Sequence, residues 1–342
     1  MILLDGIIFS LQKNGGISVY FKSLAAYLSK VDVKATMILA DSNDKIINFD
    51  EKLISIYRKE SRILERYRSC RLPFQGEIFH SSYYRKPNKS NIPTVVTVHD
   101  FIYERYQCGP RQLVHTAQKN SAIRAAQSVI CISESTKQDF LEFVGEKPGQ
   151  KIHVIHNGVD DIFSPLKLER EVEFFVLFVG QRAGYKNFSV VLGAMAFLPE
   201  LELHCVGGGQ IRAEELKGVP DSVARRVRHM GFVSDEKLNV LYNRALCLVY
   251  PSSYEGFGIP VIEAMRAGCP VVSMDCTAVL EVGQDALTVV SDPDPRAMAD
   301  AIMKTASSDR SGLIEKGLSV SQKYSWDTTH SQTLAVYRSL GA

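Results

Sequence analysis

The feature that most constrains this chain is an alternation, run through twice, of short apolar segments with amphipathic ones. The strand-like segments are "DGIIFS", "VKATMILA", "EIFHSS", "TVVTVHD", "SVICIS" and "KIHVIHNG", then "EFFVLFVG", "LELHCVGGG", "ALCLVYPS" and "CPVVSMD". Between many of them lie stretches with helical spacing, such as Val19, Phe21, Leu24, Ala25 and Leu28, or Leu238, Leu241, Tyr242 and Ala245. Apolar strands alternating with helices imply parallel sheets covered on both faces. The rhythm breaks once, in "NGVDDIFSPLKLEREVE", where turn residues, Pro165 and a charged run carry no apolar period. A hinge is expected at 158–170, and a length of 342 residues suits two cores better than one. The expected fold class is α/β, with two Rossmann-like, doubly wound parallel-sheet domains facing a cleft. Residues 1–165 form the first, 166–325 the second, and 326–342 a C-terminal helix that packs back on the first, with Ser325 or Asp327 as its N-cap.

A net charge of +2 excludes the broad basic footprint of a nucleic-acid binder. The seven cysteines are scattered, odd in number and lack a C-x-x-C pair, which encodes neither a disulfide framework nor a zinc site and suits a reducing compartment. "MILLDGIIF" reads as a first strand rather than a leader. No apolar run approaches the ~20 residues that span a bilayer, so the expected location is the cytoplasm or, at most, the inner face of the membrane. Charge is uneven, however: residues 51–89 hold ten Lys and Arg against four Glu, a local +6. In "IYRKESRILERYRSCR", Arg58, Arg62 and Arg66 fall at helical spacing beside Leu53, Ile56, Ile63, Leu64 and Tyr67, which predicts a basic amphipathic helix. Such a helix is either solvated or lies on an anionic membrane or a diphosphate-linked lipid.

In doubly wound sheets a ligand sits outside the carboxyl ends of the strands. That rule selects Gly15 and Gly16, His99 and Asp100, Ser133, Asn157 and Gly158, Gly180–Lys186, Gly207–Gly209, and Glu255–Gly258. The densest of these is "YEGFGIPVIEAMRAGCPVV", residues 254–272, in which Gly256, Phe257 and Gly258 lead into a helix. Bare backbone amides and a helix start together bind phosphate. Arg182 and Lys186, four apart in "FVGQRAGYKN", supply the cations that a diphosphate needs. Carboxylates beside a diphosphate gain only from neutral hydroxyls, which sugars provide. Glu255 before the glycines would reach a hexose, and Glu263 further down the helix a ribose. Asp292 and Asp294 in "DPDPRAMADAI" read as a helix cap before a first-turn proline, and no metal is expected.

These motifs, with "CVGGG", "GFVSDEKLNVLY", "VICISESTKQDF", "HNGVD", "NGGISVYF" and "TVVTVHD", resemble the retaining glycosyltransferase family 4 of GT-B fold. "DGIIFSLQKNGGISVYF" and "VGQRAGYKNF" are similar to bacterial transferases that build O-antigen and related polysaccharides. The resemblance implies that Arg182 and Lys186 bind the donor diphosphate and stabilise the leaving group. It implies that Glu255 holds the hexose, Glu263 the ribose, and the Gly256, Phe257 and Gly258 amides the phosphates or sugar. Gly15 and Gly16 would complete the phosphate side, Phe232 and Val233 flank the base, and His99 contact the sugar near its anomeric carbon. Asp100 and Ser133 are acceptor-side candidates, Ser133 having an alternative as the N-cap of "ESTKQDFLEF". The donor is then a nucleotide diphosphate sugar such as GDP-mannose, and the acceptor a glycan or lipid-linked oligosaccharide. No cofactor is expected, and the leaving phosphate takes the acceptor proton. Two other classes fit a similar scaffold: a nucleotide-sugar epimerase, which consumes donor without acceptor, and a binder that turns nothing over.

Overall fold

The computed structural model describes residues 1–12, 15–40, 54–89, 91–167, 173–182, 184–307 and 310–341. The chain divides into two compact units, Met1–Gly158 with Trp326–Ala342, and Val159–Ser325. The division therefore falls before the expected residue 165. Residues 159–166 are drawn to the second unit by side chains there: the Ser164 and Leu166 amides donate to Asn239 Oδ1 (3.1 Å) and Asn243 Oδ1 (2.7 Å), and Phe163 meets Tyr242 edge-on. Residues 168–170 of the expected hinge lie outside the described residues.

The first unit is a parallel sheet of seven strands in the order β3-β2-β1-β4-β5-β6-β7. Its strands are β1 (Ile2–Asp5), β2 (Ala35–Leu39), β3 (Ser55–Arg58), β4 (Ile78–Ser81), β5 (Thr94–Val98), β6 (Ser128–Cys131) and β7 (Lys151–Val154). The central strands are buried along their length, as near-continuous apolar runs require. "DGIIFS" is not a strand: β1 stops at Asp5, whose Oδ1 accepts from the Ile7 amide (3.2 Å) and turns the chain into the helix Ile7–Leu11. The helix Gly16–Lys30 packs Tyr20, Phe21, Leu24, Ala25 and Leu28 into the core, whereas Val19 faces solvent. The C-terminal helix Trp326–Arg338 belongs to this unit and adds Leu334, Val336 and Tyr337 to the same core. Its Tyr337 hydroxyl meets His80 Nδ1 at 2.5 Å, and its Thr329 hydroxyl donates to the His156 carbonyl at 2.8 Å.

Among the described residues of the basic stretch no α-helix forms. Residues 55–58 pair with β2 as edge strand β3, and only Glu65–Tyr67 make a single 3-10 turn. Long-range ion pairing overrides the helical spacing: Glu65 is buried and takes Arg85 (2.6 Å) and Lys59 (3.0 Å) besides its i,i+3 neighbour Arg62 (2.6 Å), and a continuous helix would carry Lys59, six residues away, off that carboxylate. Leu53 lies outside the described residues.

The second unit is a parallel sheet of six strands in the order β10-β9-β8-β11-β12-β13. These are β8 (Phe175–Val179), β9 (Glu202–Val206), β10 (Val227–Gly231), β11 (Cys247–Tyr250), β12 (Val271–Met274) and β13 (Leu287–Val290). The strand order reverses between β1 and β4 in the first sheet and between β8 and β11 in the second, and those switch points are where such sheets take ligands. Among the described residues no helix is long and apolar enough to cross a membrane.

Candidate functional site

The second sheet's switch point brings together two of the residues selected from the sequence, Lys186 and Glu255. The loop leaving β8 carries Lys186 at the end of a 3-10 turn, Gly184–Lys186, and the loop leaving β11 carries Glu255. Because β8 and β11 are neighbours, the two side chains meet: Lys186 Nζ forms an ion pair with Glu255 Oε1 and lies 3.4 Å from the Tyr250 hydroxyl. Both side chains are about nine-tenths buried, so the pair sits in a pocket of low dielectric with one edge accessible. Burial, then the adjacent Glu255 carboxylate, holds the Tyr250 hydroxyl well above its ordinary pKa.

Gly256, Phe257 and Gly258 follow as buried backbone, and the helix Ile259–Arg266 begins there. Gly258 turns the chain into that helix at φ 102°, a conformation that favours glycine. Glu263 projects from its second turn and accepts from the Tyr242 hydroxyl at 2.9 Å. Burial pushes the Glu263 carboxyl up to about 7; the Tyr242 hydrogen bond opposes this, while Asp235 and Asp160 add to it. Arg266, at the helix end, donates to the carbonyls of Val159 (3.0 Å) and Tyr324 (3.1 Å), tying both chain crossings to the helix that carries Glu263. Phe232 is exposed and Val233 half-buried directly after β10.

Arg182 is placed differently from the expectation. Its guanidinium does not share Lys186's environment; Nε donates to Glu215 (2.7 Å) and the outer nitrogens to the carbonyls of Gly207 (3.2 Å), Gly209 (2.9 Å) and Gln210 (3.0 Å). A buried guanidinium must place its five donors, and three successive glycines at positive φ turn their carbonyls toward it. At Gly208 a Cβ would come within 2.9 Å of the Gly180 carbonyl, so the "VGGG" loop is glycine for packing as well as for turning. Glu215, which anchors Arg182, carries no sequence signal of its own.

In the first unit, Gly15 and Gly16 open the helix Gly16–Lys30. His99 closes β5 and is 8% exposed; burial, with Lys119 adding, pushes its imidazole down to about 3, so the ring is neutral. Its Nε2 is buried without a hydrogen-bond partner among the described residues, and its ring meets Tyr20 edge-on. Asp100 uses Oδ1 to accept from the Ile102 amide (3.1 Å), while its carbonyl takes Lys119 Nζ (2.5 Å). Lys119 was not foreseen. It is fully buried on the helix Pro110–Ala125, 3.2 Å from Glu104 and with Nζ 3.4 Å from the Phe101 ring centre. The signal for it is the buried stripe His115, Lys119, Ala122 and Ile123, at helical spacing with two polar members. Ser133 is fully buried and its hydroxyl accepts from the Thr136 amide at 2.9 Å, the bond of the N-cap alternative. Asp294 Oδ2 accepts from the Ala297 amide (2.7 Å) ahead of the helix Pro295–Ser307. No group of three or more metal-ligating side chains occurs among the described residues.

Residues 14–162 match the model for Glycosyltransferase Family 4, and residues 173–308 that for Glycosyl transferases group 1. The chain is 25% identical over 319 residues to O-antigen chain mannosyltransferase B of Escherichia coli, covering 84% of this chain and 83% of that protein. It is 30% identical over 184 residues to O-antigen chain mannosyltransferase RfbU of Salmonella typhimurium, covering 53% and 51%. Sucrose-phosphate synthase from Thermosynechococcus elongatus superposes with a TM-score of 0.79 at 22% identity, over 99% of this chain and 98% of that one. Anabaena HepE in complex with UDP-glucose superposes at 0.73 and 16% identity, over 99% of both. These structures share the two-domain GT-B fold.

Proposed function

The chain belongs to the family 4 glycosyltransferases, and we propose that it moves a hexose, mannose by preference, from a nucleotide diphosphate sugar to a growing surface glycan. GDP-mannose is the donor in this reading, a lipid-linked O-antigen or similar polysaccharide the acceptor, and the inner membrane face the place of work. The mannosyltransferase relatives support the sugar, and the UDP-glucose bound by HepE supports a nucleotide-sugar donor.

The observation that carries the reading is the Lys186–Glu255 pair at the second sheet's switch point. Lys186 meets the diphosphate, where a pre-aimed cation gains most as charge develops on the leaving group. Glu255 then accepts from hexose hydroxyls, and Glu263 from ribose hydroxyls. Arg182 keeps Glu215 at Nε and exchanges loop carbonyls at its outer nitrogens for phosphate oxygens. The amides of Gly256, Phe257 and Gly258, with those of Gly15 and Gly16, complete the phosphate contacts, and Phe232 and Val233 border the base. The unpartnered Nε2 of neutral His99 is a hydrogen-bond donor or acceptor for the hexose, with Asp100 beside it on the acceptor side.

Configuration is retained in this scheme. The acceptor oxygen bonds to the anomeric carbon on the face from which the diphosphate departs, the bond to the phosphate oxygen breaks, and the departing phosphate takes the acceptor proton. No protein nucleophile, metal or cofactor is needed. The test is transfer from a panel of nucleotide mannoses and glucoses to a glycan primer, with and without EDTA, reading product anomericity by NMR. Acceptor-dependent, EDTA-insensitive formation of an α-linked product is expected. Donor turnover without acceptor would replace the reading by an epimerase, and tight donor binding without turnover by a binder.

A further inference from the structure

The helix Pro110–Ala125 carries a cation that the proposed reaction does not use. Lys119 is fully buried, and its ammonium has three N–H groups to place. One goes to the Asp100 carbonyl (2.5 Å) and one to Glu104 Oε2 (3.2 Å), while the face of Phe101, its ring centre 3.4 Å from Nζ, takes the third. No surface is left to meet a ligand, so Lys119 acts through what it holds. What it holds is the backbone that delivers His99 and Asp100. The Ile132 amide donates to the Val98 carbonyl (3.3 Å) at the end of β5; beyond it the chain leaves the sheet, and two residues on Lys119 takes the Asp100 carbonyl.

The turn that follows is gripped as well. A helix as short as Ile102–Tyr106 is marginal alone, and this one buries none of its residues completely. It is held from Pro110–Ala125 instead. Tyr103 stacks on His115 at 3.9 Å, and the inward-facing Glu104 accepts from the Thr116 hydroxyl (3.1 Å) at one oxygen and from Lys119 at the other. Asp100 closes the arrangement by accepting the Ile102 amide at Oδ1 (3.1 Å). Stability alone does not account for the charge. A buried ion pair recovers little more than its desolvation cost, and an apolar pair of similar volume commonly serves a fold as well or better. Such a pair does fix positions, because each partner is penalised steeply for leaving the other. After burial itself, the Lys119 charge is also what holds the His99 imidazole down at about 3.

We propose that Lys119 is a positioning residue: it clamps the exit of β5 through the Asp100 carbonyl and Glu104, and so fixes the orientation in which the His99 ring and the Asp100 carboxylate are presented. Its effect on transfer rests on the transferase reading above, whereas the clamp is testable without sugar. Lys119→Met with Glu104→Gln removes both charges at similar volume, and Glu104→Gln alone loosens one arm. The full chain is prepared with isotope-labelled histidine and the His99 ring is assigned through His99→Gln. At neutral pH the native chain is expected to give one sharp set of His99 ring signals, and the double variant exchange-broadened ones at a melting temperature within a few degrees of native. Calorimetry is expected to show GDP bound equally by both, and GDP-mannose about fivefold more weakly by the double variant, as the loss of one hydrogen bond to the hexose requires. The kcat for transfer falls about 10- to 100-fold, the cost of a misplaced contact group. Glu104→Gln moves each readout the same way by less. Native His99 signals and native transfer in a folded double variant overturn the proposal, and so does equal weakening of GDP and GDP-mannose. Should the double variant not fold, unchanged His99 signals and rates in Glu104→Gln overturn it. Broadened His99 signals in variants of a chain that transfers nothing sustain the clamp and refute the transferase reading, so the two failures are distinguishable.

Discussion

At the switch point of the first sheet, Asp5 ends β1 and Arg85 follows β4; at that of the second, Lys186 follows β8 and Glu255 follows β11. Both are carboxylate–cation pairs drawn from the two strands that flank the reversal. The first pair is completely buried: Arg85 forks onto both Asp5 oxygens and reaches Glu65, and Asp5 also caps the following turn. Every polar atom of that cluster faces another protein atom. The second pair keeps an open edge, its lysine having, among the described residues, Glu255 and the Tyr250 hydroxyl as hydrogen-bond partners. The same strand geometry thus yields a girder in one unit and, in the proposed reading, a site in the other, with accessibility as the difference.

Breaking the two pairs separates those roles. Arg85→Ala leaves Asp5 and Glu65 charged and buried, which costs about 3–5 kcal/mol. The expected result is loss of most of the first unit's folding, read by circular dichroism and denaturant titration. Lys186→Ala and Glu255→Gln are expected to keep the melting temperature within a few degrees and to lower transfer by about 10² to 10³-fold. Comparable stability losses in both pairs would erase the contrast.

How much of this could be read beforehand follows from the same physics. The central strands were legible because both faces are covered: "TVVTV" and "CLVY" can be little else. The three strands that were missed, β3, β10 and β13, are all sheet edges, half exposed and carrying residues such as Arg58, Arg228 and Thr288. Half-exposed edges of this kind carry a weak apolar period, though the edge strand β7 was legible from "KIHVIHNG". Glu255 and Lys186 were visible because glycines and a strand exit localise a side chain without tertiary knowledge. The partners that Arg182 takes, Glu215 and the 207–210 carbonyls, were not legible because they lie beyond the reach of local spacing. Arg58, Arg62 and Arg66 suggested a helix for the converse reason: periodicity cannot see that Glu65 is claimed by Arg85.

Glu263 sharpens the comparison through pH. Its folded value, about 7, stands above the ordinary 4.5, so the folded chain holds the proton longer than the unfolded one. Its contribution to stability is therefore full below 4.5 and lost as pH rises through about 7. Ribose hydroxyls are better donors to the ionised carboxylate, so donor affinity is expected to rise over the same interval. The ionised fraction grows about tenfold from one pH unit below the pKa to one above. Calorimetric titration of GDP-mannose between pH 6 and 8 should show that rise in the native chain and a flat profile in Glu263→Gln.

The smallest effect tests whether the girder role extends along the first sheet to its other strand exits. Ser133 leaves β6 where a doubly wound sheet could bind an acceptor, yet its hydroxyl is inside and committed to the Thr136 amide. Ser133→Ala removes one cap, which costs about 1 kcal/mol and in a unit of this size moves the melting temperature by about 2–4 °C. The acceptor KM should not change, because no surface of Ser133 reaches substrate. A raised acceptor KM at constant stability would return Ser133 to the binding surface, and would mean that the exits of the first sheet divide between scaffold and site as those of the second do.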